Sequence, residues 1–415
     1  MGFVDPVIAI LIAFSLLIIL LYKRVNLGIT LNATAIVLAL LAVEWAKIPT
    51  IIFETTIDLH TISIVTATFG ITLLSQLYKE TEILRKLTES ISRIINNPKI
   101  VLSVVPAVIG LLPVAGGALM SAPLVDIEAE KLKLKPDKKA YINLWFRHTI
   151  FPVYPLSPAI IATAVFTGVA IPLIILRQIP VVLVMIIVGY IISFWKIRMP
   201  KTVENPNSKN KPNSDLKDFL ISFSPILATI VFAIALNVAS IEFFREGLDV
   251  VVATFVGLII LIVISRMNIH LFVRPLKSWG IYGITFAAYG AFLLRTVMVS
   301  PEVSQVFSTL TTSNNTGLSN VILLAVVPAV LGVLTGSPVS SVAISIPILC
   351  GAPPIAQNIA ALVYISAYFG YTIAPTHLCF TFTVDYFKCS LGKVYKYVIP
   401  SFIITFLMAL LIYFY

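Results

Sequence analysis

Apolar runs long enough to cross a bilayer, roughly 20 residues each, follow one another along almost the whole chain, separated by short polar loops. The pattern predicts full spans near 7–23, 28–46, 61–79, 140–168 and 172–195, then near 217–239, 248–266, 279–298, 357–386 and 395–414. Two more apolar stretches, about 99–125 and 319–350, are too long for one span and too interrupted by Gly and Pro for two. They read as re-entrant hairpins, which a bilayer tolerates only where protein covers the irregular backbone or it lines a cavity. Residues 80–97 and 303–313, each ahead of a hairpin, read as amphipathic helices lying at the interface.

The special elements occur twice. Val104-Val105-Pro106-Ala107-Val108-Ile109-Gly110 returns as Val326-Val327-Pro328-Ala329-Val330-Leu331-Gly332, and Phe146-Arg147-His148-Thr149-Ile150-Phe151-Pro152 is echoed by Phe369-Gly370-Tyr371-Thr372-Ile373-Ala374-Pro375. The offsets are 222 and 223 positions, so two halves of similar length carry corresponding elements. The expected fold is an all-α polytopic membrane protein of two inverted-topology repeats, residues 1–198 and 217–415, joined by a cytoplasmic linker at 199–216. Each repeat has five spanning helices, a re-entrant hairpin and a broken helix (about 140–168 and 357–386). Duplication of this kind marks transporters whose binding site lies where the repeats meet.

Composition agrees with that class: 59% of residues are hydrophobic and 12% charged, and the mean hydropathy is +1.00. A net charge of +10 suggests nucleic acid, but the basic residues sit in loops between apolar runs and form no basic face with interleaved aromatics. With the hairpins counted as non-crossing, 24 of the 29 Lys and Arg fall on one side, three (Lys47, Arg177, Arg245) fall opposite, and Arg147 and Arg295 lie within the membrane. The first side is therefore cytoplasmic by the positive-inside rule. Residues 131–139 and 201–215 are expected there, 302–316 and 350–356 outside, and both termini outside a plasma membrane. The run Val7 to Tyr22 follows an acidic residue and has no small-residue cleavage site, so it reads as a retained span and Met1 as the mature start. Cys350, Cys379 and Cys389 show no CxxC spacing, so neither a disulfide framework nor a zinc motif is indicated.

Candidate chemistry concentrates at the hairpin tips and the helix breaks. The tips are Pro113-Val114-Ala115-Gly116-Gly117 and Thr335-Gly336-Ser337-Pro338-Val339-Ser340-Ser341. Gly116, Gly117 and Gly336 allow close approach of a ligand to the backbone; the N-terminus of each returning half-helix favours an anion, and Thr335, Ser337 and Ser340 add hydroxyl donors. Pro152, Pro155 and Pro158 interrupt one span and Pro375 another, each removing a backbone donor. Around these breaks lie Arg147, His148, Thr149, Tyr154 and Ser157, and in the second copy Tyr371, Thr372, Thr376 and His377. Intramembrane ionisable residues are costly and functional by default, which makes Arg147 the leading substrate-anion contact, with a snorkelling Arg as the alternative. His148 and His377 are candidates for substrate binding or proton relay. Asp385, with Thr149 and Thr372, is the candidate for a coupling ion, Na⁺ or H⁺; no other cofactor and no metal is expected.

With Leu112-Pro113-Val114-Ala115-Gly116-Gly117-Ala118 and Ser121-Ala122-Pro123, the chain resembles an uncharacterised prokaryotic integral membrane family, common in archaea, within the ion transporter superfamily of dicarboxylate and citrate symporters and gluconate permeases. The resemblance implies inverted repeats, hairpins, discontinuous helices and an elevator-type transport domain moving against a scaffold that mediates homodimerisation. The Ser-Asn-Thr tip motif of the dicarboxylate symporters is absent from both hairpins. The reading that results is a secondary active transporter of a small anionic solute, most readily a carboxylate. Alternatives are a lipid-phosphate or inorganic anion translocase on the same fold, or an anion channel. An enzyme is not expected, since no HExxH, facing Asp pair or Ser/His dyad in adjacent spans is present.

Overall fold

The computed structural model describes residues 4–23, 25–95, 97–112, 117–198, 212–239, 247–305, 318–350, 355–375 and 377–414. Among these, every regular element is a helix. The first half runs α1 (Pro6–Tyr22), α2 (Leu27–Ala42), α3 (Ile48–Ile57), α4 (Leu59–Glu80), α5 (Glu82–Ile94), α6 (Pro98–Gly110), α7 (Ala118–Lys131), α8 (Pro136–Thr149), α9 (Pro158–Thr167) and α10 (Ile171–Phe194). The second runs α11 (Pro212–Val238), α12 (Leu248–Ser265), α13 (Ile269–Leu276), α14 (Trp279–Val299), α15 (Leu318–Thr335), α16 (Pro338–Cys350), α17 (Gln357–Ile373), α18 (Leu378–Tyr386) and α19 (Leu391–Tyr413).

Helix ends follow local chemistry. Asn26 caps α2 by accepting from the Gly28 and Ile29 amides, Asp58 caps α4 through the Thr61 amide, and Asn97 caps α6 through Lys99. Side-chain acceptors at such positions satisfy donors that the helix leaves unpaired. Pro98, Pro136 and Pro158 each stand in the first turn of a helix, where a missing N–H costs nothing. Glu82–Ile94 is amphipathic as expected, burying Ile83, Leu87 and Ile91.

Among the described residues, eight helical segments are long and apolar enough to cross a membrane, including the two broken ones, Pro136–Thr167 and Gln357–Tyr386. α1, at 17 residues, has the length of its expected span, whereas α2, at 16, is shorter than the expected 28–46. Leu176, Leu183, Ile187, Val263, Leu407 and Leu411 project from α10, α12 and α19 as exposed large apolar side chains. An outer surface of this kind requires lipid around it: the chain is a polytopic membrane protein.

The halves exchange partners. α2 packs on α14 and α12 on α4; α3 lies against α14 and α13 against α4; α16 packs on α9 and α7 on α18. α4 and α14 run in opposite directions, with Asp58 acting on Arg295 at one end and Phe69 against Tyr282 further along. α10 and α19 do the same, the start of α10 meeting the end of α19 around Arg177, Gln178, Ala409 and Tyr413. Lys99 at the head of α6 donates to the Ile197 carbonyl past α10 at 2.7 Å, and Lys139 in α8 pairs with Asp126 and Glu130 of α7. Both limbs of the first hairpin therefore end on the face where α8 begins and α10 finishes. The linker from 199 to 211, and most of 303–313, lie outside the described residues.

Each hairpin is seated on its broken helix through glycine. A Cβ on Gly110 would meet the Arg147 carbonyl oxygen at 2.3 Å, one on Gly332 the Ala367 oxygen at 2.4 Å, and one on Gly370 the Ala329 oxygen at 1.9 Å. Gly370→Ala is expected to destabilise the protein by about 1–3 kcal/mol, the usual range for overpacking. Gly392→Ala, where nothing lies within 4 Å, should change stability by less than about 0.5 kcal/mol; thermal unfolding in detergent compares the two.

Candidate functional site

The two helix breaks meet in the protein interior. α8 carries Asn143, Arg147 and His148 and ends at Thr149, followed by a short 3₁₀ turn, Phe151–Val153, before α9. The carbonyls this break frees are taken up by α17: the Tyr368 hydroxyl donates to the His148 oxygen at 2.7 Å and Tyr364 to the Phe151 oxygen at 3.2 Å. At the second break the Tyr395 hydroxyl donates to Ile373 at 2.8 Å. His148 and His377 meet edge to face with centroids 4.7 Å apart, and Tyr371 lies 4.1 Å from His377.

Arg147 is 1% exposed, which excludes snorkelling. Its Nη2 donates to the Leu112 carbonyl at 2.9 Å, at the edge of the first hairpin tip, while Nη1 has no partner among the described residues. The His148 Nδ1 lies 2.6 Å from the Leu144 carbonyl. A carbonyl only accepts, so Nδ1 carries the proton and Nε2 the lone pair. His148 also hydrogen-bonds Cys379. His377 is 2% exposed and neither ring nitrogen has a hydrogen-bond partner among the described residues, although the Thr372 carbonyl lies nearby. Asn143 ties three elements together: its amide donates to the Ala118 carbonyl at 2.9 Å and to Thr383 Oγ1 at 3.3 Å, and its carbonyl accepts from Ser121 at 2.6 Å.

The remaining expected residues are placed as follows. Gly116 and Thr376 lie outside the described residues. Gly117 precedes α7, beside Ala118, which Asn143 engages. Thr149 and Thr372 donate to carbonyls of their own helices, Phe146 and Tyr368, both at 2.8 Å, and keep only lone pairs for a ligand. Ser157 is buried and hydrogen-bonds Tyr364. In the second tip Ser337 accepts from the Ser340 amide at 3.3 Å and from the Ser340 hydroxyl at 3.1 Å, and Thr335 Oγ1 accepts from the Ser337 amide at 3.2 Å. These hydroxyls stabilise the turn that Gly336 makes at φ +60°, and no hydrogen bond among the described residues joins them to the Arg147 cluster. Asp385 is exposed, eight residues and about 12 Å of helix beyond His377, and so stands apart from the buried cluster.

A family model described as "Protein of unknown function (DUF401)" matches residues 6–415. The chain belongs to the DUF401 family. No curated protein matches this DUF401 chain in sequence. Among solved structures, Neisseria gonorrhoeae MtrF, described as illuminating a class of antimetabolite efflux pumps, aligns at a TM-score of 0.45 and 12% identity over 89% of this chain and 83% of MtrF. A likeness at that level assigns neither fold nor activity.

Two features of the DUF401 chain's interior escaped the sequence pattern. Asn143 lies one helical turn before Arg147, a spacing that puts both on one face, and Cys379 follows His377 by two positions but gains its neighbour His148 only through the fold. Away from the centre, a cleft of about 540 Å³ is lined by Glu44, Lys47, Glu54, Arg295 and Glu302. There the Arg295 guanidinium stacks 5.0 Å over the Phe166 ring, and the hydrogen bond from Lys47 holds the Glu302 carboxyl below the usual carboxylate range.

Asn143→Ala strips partners from the buried Ser121 hydroxyl and the Ala118 carbonyl. The expected cost is about 1–3 kcal/mol, the penalty for buried groups left unsatisfied. Thr381→Ala, which removes an exposed local bond to Leu378, should stay within about 0.5 kcal/mol; both are measured by thermal unfolding.

Proposed function

We propose that this protein is a secondary active transporter of a small anionic solute, with a carboxylate as the first candidate, and that its substrate site lies at the meeting of the two helix breaks. The observation that carries the reading is Arg147: a fully buried guanidinium with one nitrogen engaged and the other free of protein partners among the described residues. An uncompensated buried charge is expensive, and an anion seated between Arg147, His377 and the start of α7 offsets it. The α7 N-terminus adds its own amides to such an anion.

Inverted repeats support alternating access. The antiparallel pairs α4/α14 and α10/α19 and the exchanged partners of the two hairpins fit two halves of opposite topology, with hairpins that enter and leave on one face. Plasma-membrane location, external termini, Na⁺ or H⁺ coupling, elevator motion and a homodimer belong to this proposal as its finer parts. For the topology, single cysteines placed at Lys135 and at Ala356 should react with impermeant reagents from opposite faces, Lys135 from the cytoplasm. Labelling of both from one face would exclude inversion.

For the site, Arg147→Ala is expected to weaken carboxylate binding to the folded protein about ten- to a hundredfold, matching about 1.5–3 kcal/mol for a charge-assisted hydrogen bond. Arg147→Lys should restore only part, since a point charge replaces a planar fork. Calorimetric titration with a panel of mono-, di- and tricarboxylates reads both variants, and unchanged affinity in Arg147→Ala would remove Arg147 from the site.

A further inference from the structure

His148, His377 and Cys379 offer two imidazole nitrogens and one sulfur within 4.8 Å of one another, all buried. Donors on a tetrahedral zinc, bonded at about 2.0–2.3 Å, stand about 3.5 Å apart, so side-chain rotations closing roughly 1 Å would bring the three into register. Two further observations point to an occupant. His377 is buried with both nitrogens unpartnered among the described residues, although an imidazole always carries at least one lone pair or proton to satisfy. His148 is held with Nδ1–H on the Leu144 carbonyl, the outer-sphere arrangement that orients a ligating histidine and directs its Nε2 lone pair.

We propose that His148 Nε2, His377 and Cys379 Sγ form a three-donor binding site for a borderline-soft divalent cation of the zinc class. Mixed imidazole and thiolate donors select such ions over Mg²⁺, Ca²⁺ or Na⁺. On binding, the Cys379 thiol gives up its proton to solvent and coordinates as thiolate. Three protein donors leave a fourth position open, as in sites that also take an exogenous ligand. Arg147 acts electrostatically on both His377 and Cys379, so that position favours an anion over a neutral molecule. His148 comes from the first half and the other two donors from the second, so a bound ion fastens the two helix breaks together. The site stands independently of the transport reading, because its occupancy is measured without transport and without a carboxylate.

The test uses the full chain in detergent, titrated with Co²⁺ and then Zn²⁺. A cobalt–thiolate charge-transfer band should grow to one ion per chain and vanish as Zn²⁺ displaces it. Cys379→Ser should abolish the band, and His377→Gln should weaken binding by more than about 100-fold, since loss of outer-sphere partners alone costs about 10–100-fold. Cys389→Ser and His60→Gln, which change a half-buried cysteine and a half-buried histidine far along the chain from the cluster, should leave the titration unchanged. A variant-free measurement accompanies these: X-ray absorption of zinc-loaded wild type should give two nitrogens and one sulfur, with Zn–S near about 2.3 Å. A purely nitrogen and oxygen shell, no thiolate band in the wild type, or a band that survives Cys379→Ser would overturn the site. Carboxylate binding by Arg147 is decided by its own titration, run on protein without added metal.

Discussion

In hydrocarbon a backbone N–H or C=O without a partner costs several kcal/mol, and this fold interrupts two of its apolar, span-length helical segments. The interruptions persist because side chains from elsewhere take up the freed carbonyls. Tyr368 covers His148, Tyr364 covers Phe151, Tyr395 covers Ile373 and Arg147 covers Leu112, and Asn143 and Ser341 add bonds to the Ala118 and Pro328 carbonyls within α7 and α15. Each donor comes from a different helix than its carbonyl. The breaks are therefore also the stitches between hairpins, broken helices and the two halves, and the polar interior exists because the helices stop there.

Much of this was legible in the chain. Proline positions and runs of apolar residues marked stretches where helices stop and restart, between α8 and α9, between α15 and α16 and between α17 and α18, because those signals are local. What escaped was carried by long-range pairing. Asn143 and the tyrosines of α17 look like ordinary apolar-helix residues until the partner carbonyls are known, and Cys379 has no motif spacing because its neighbour His148 is contributed by the other half. The hydroxyls of Thr335, Ser337 and Ser340 bond within the second tip's own turn, a pairing that residue type alone does not show. Asp385 was the only carboxylate after a broken span, yet the length of α18 carries it to an exposed end.

The two copies have diverged where it matters. Gly370 of the second half aligns with Arg147 of the first, and its lack of a side chain lets the Ala329 backbone approach where the first half places a guanidinium. One copy spends the position on contact and the other on charge. The interior is accordingly asymmetric: Arg147 and His148 from one half face His377 and Cys379 from the other.

The glycine seats of the hairpins carry a mechanical meaning. Side chains in contact can hop between rotamers and let two helices slide, but a seat made of main chain against main chain has no such freedom and yields only if the backbone itself bends. Each hairpin and its broken helix, joined at Gly110 or at Gly332 and Gly370, thus behave as one stiff beam. Any large displacement in this protein is displaced to the seams between beams and the surrounding helices, where flexible apolar side chains supply the slip planes.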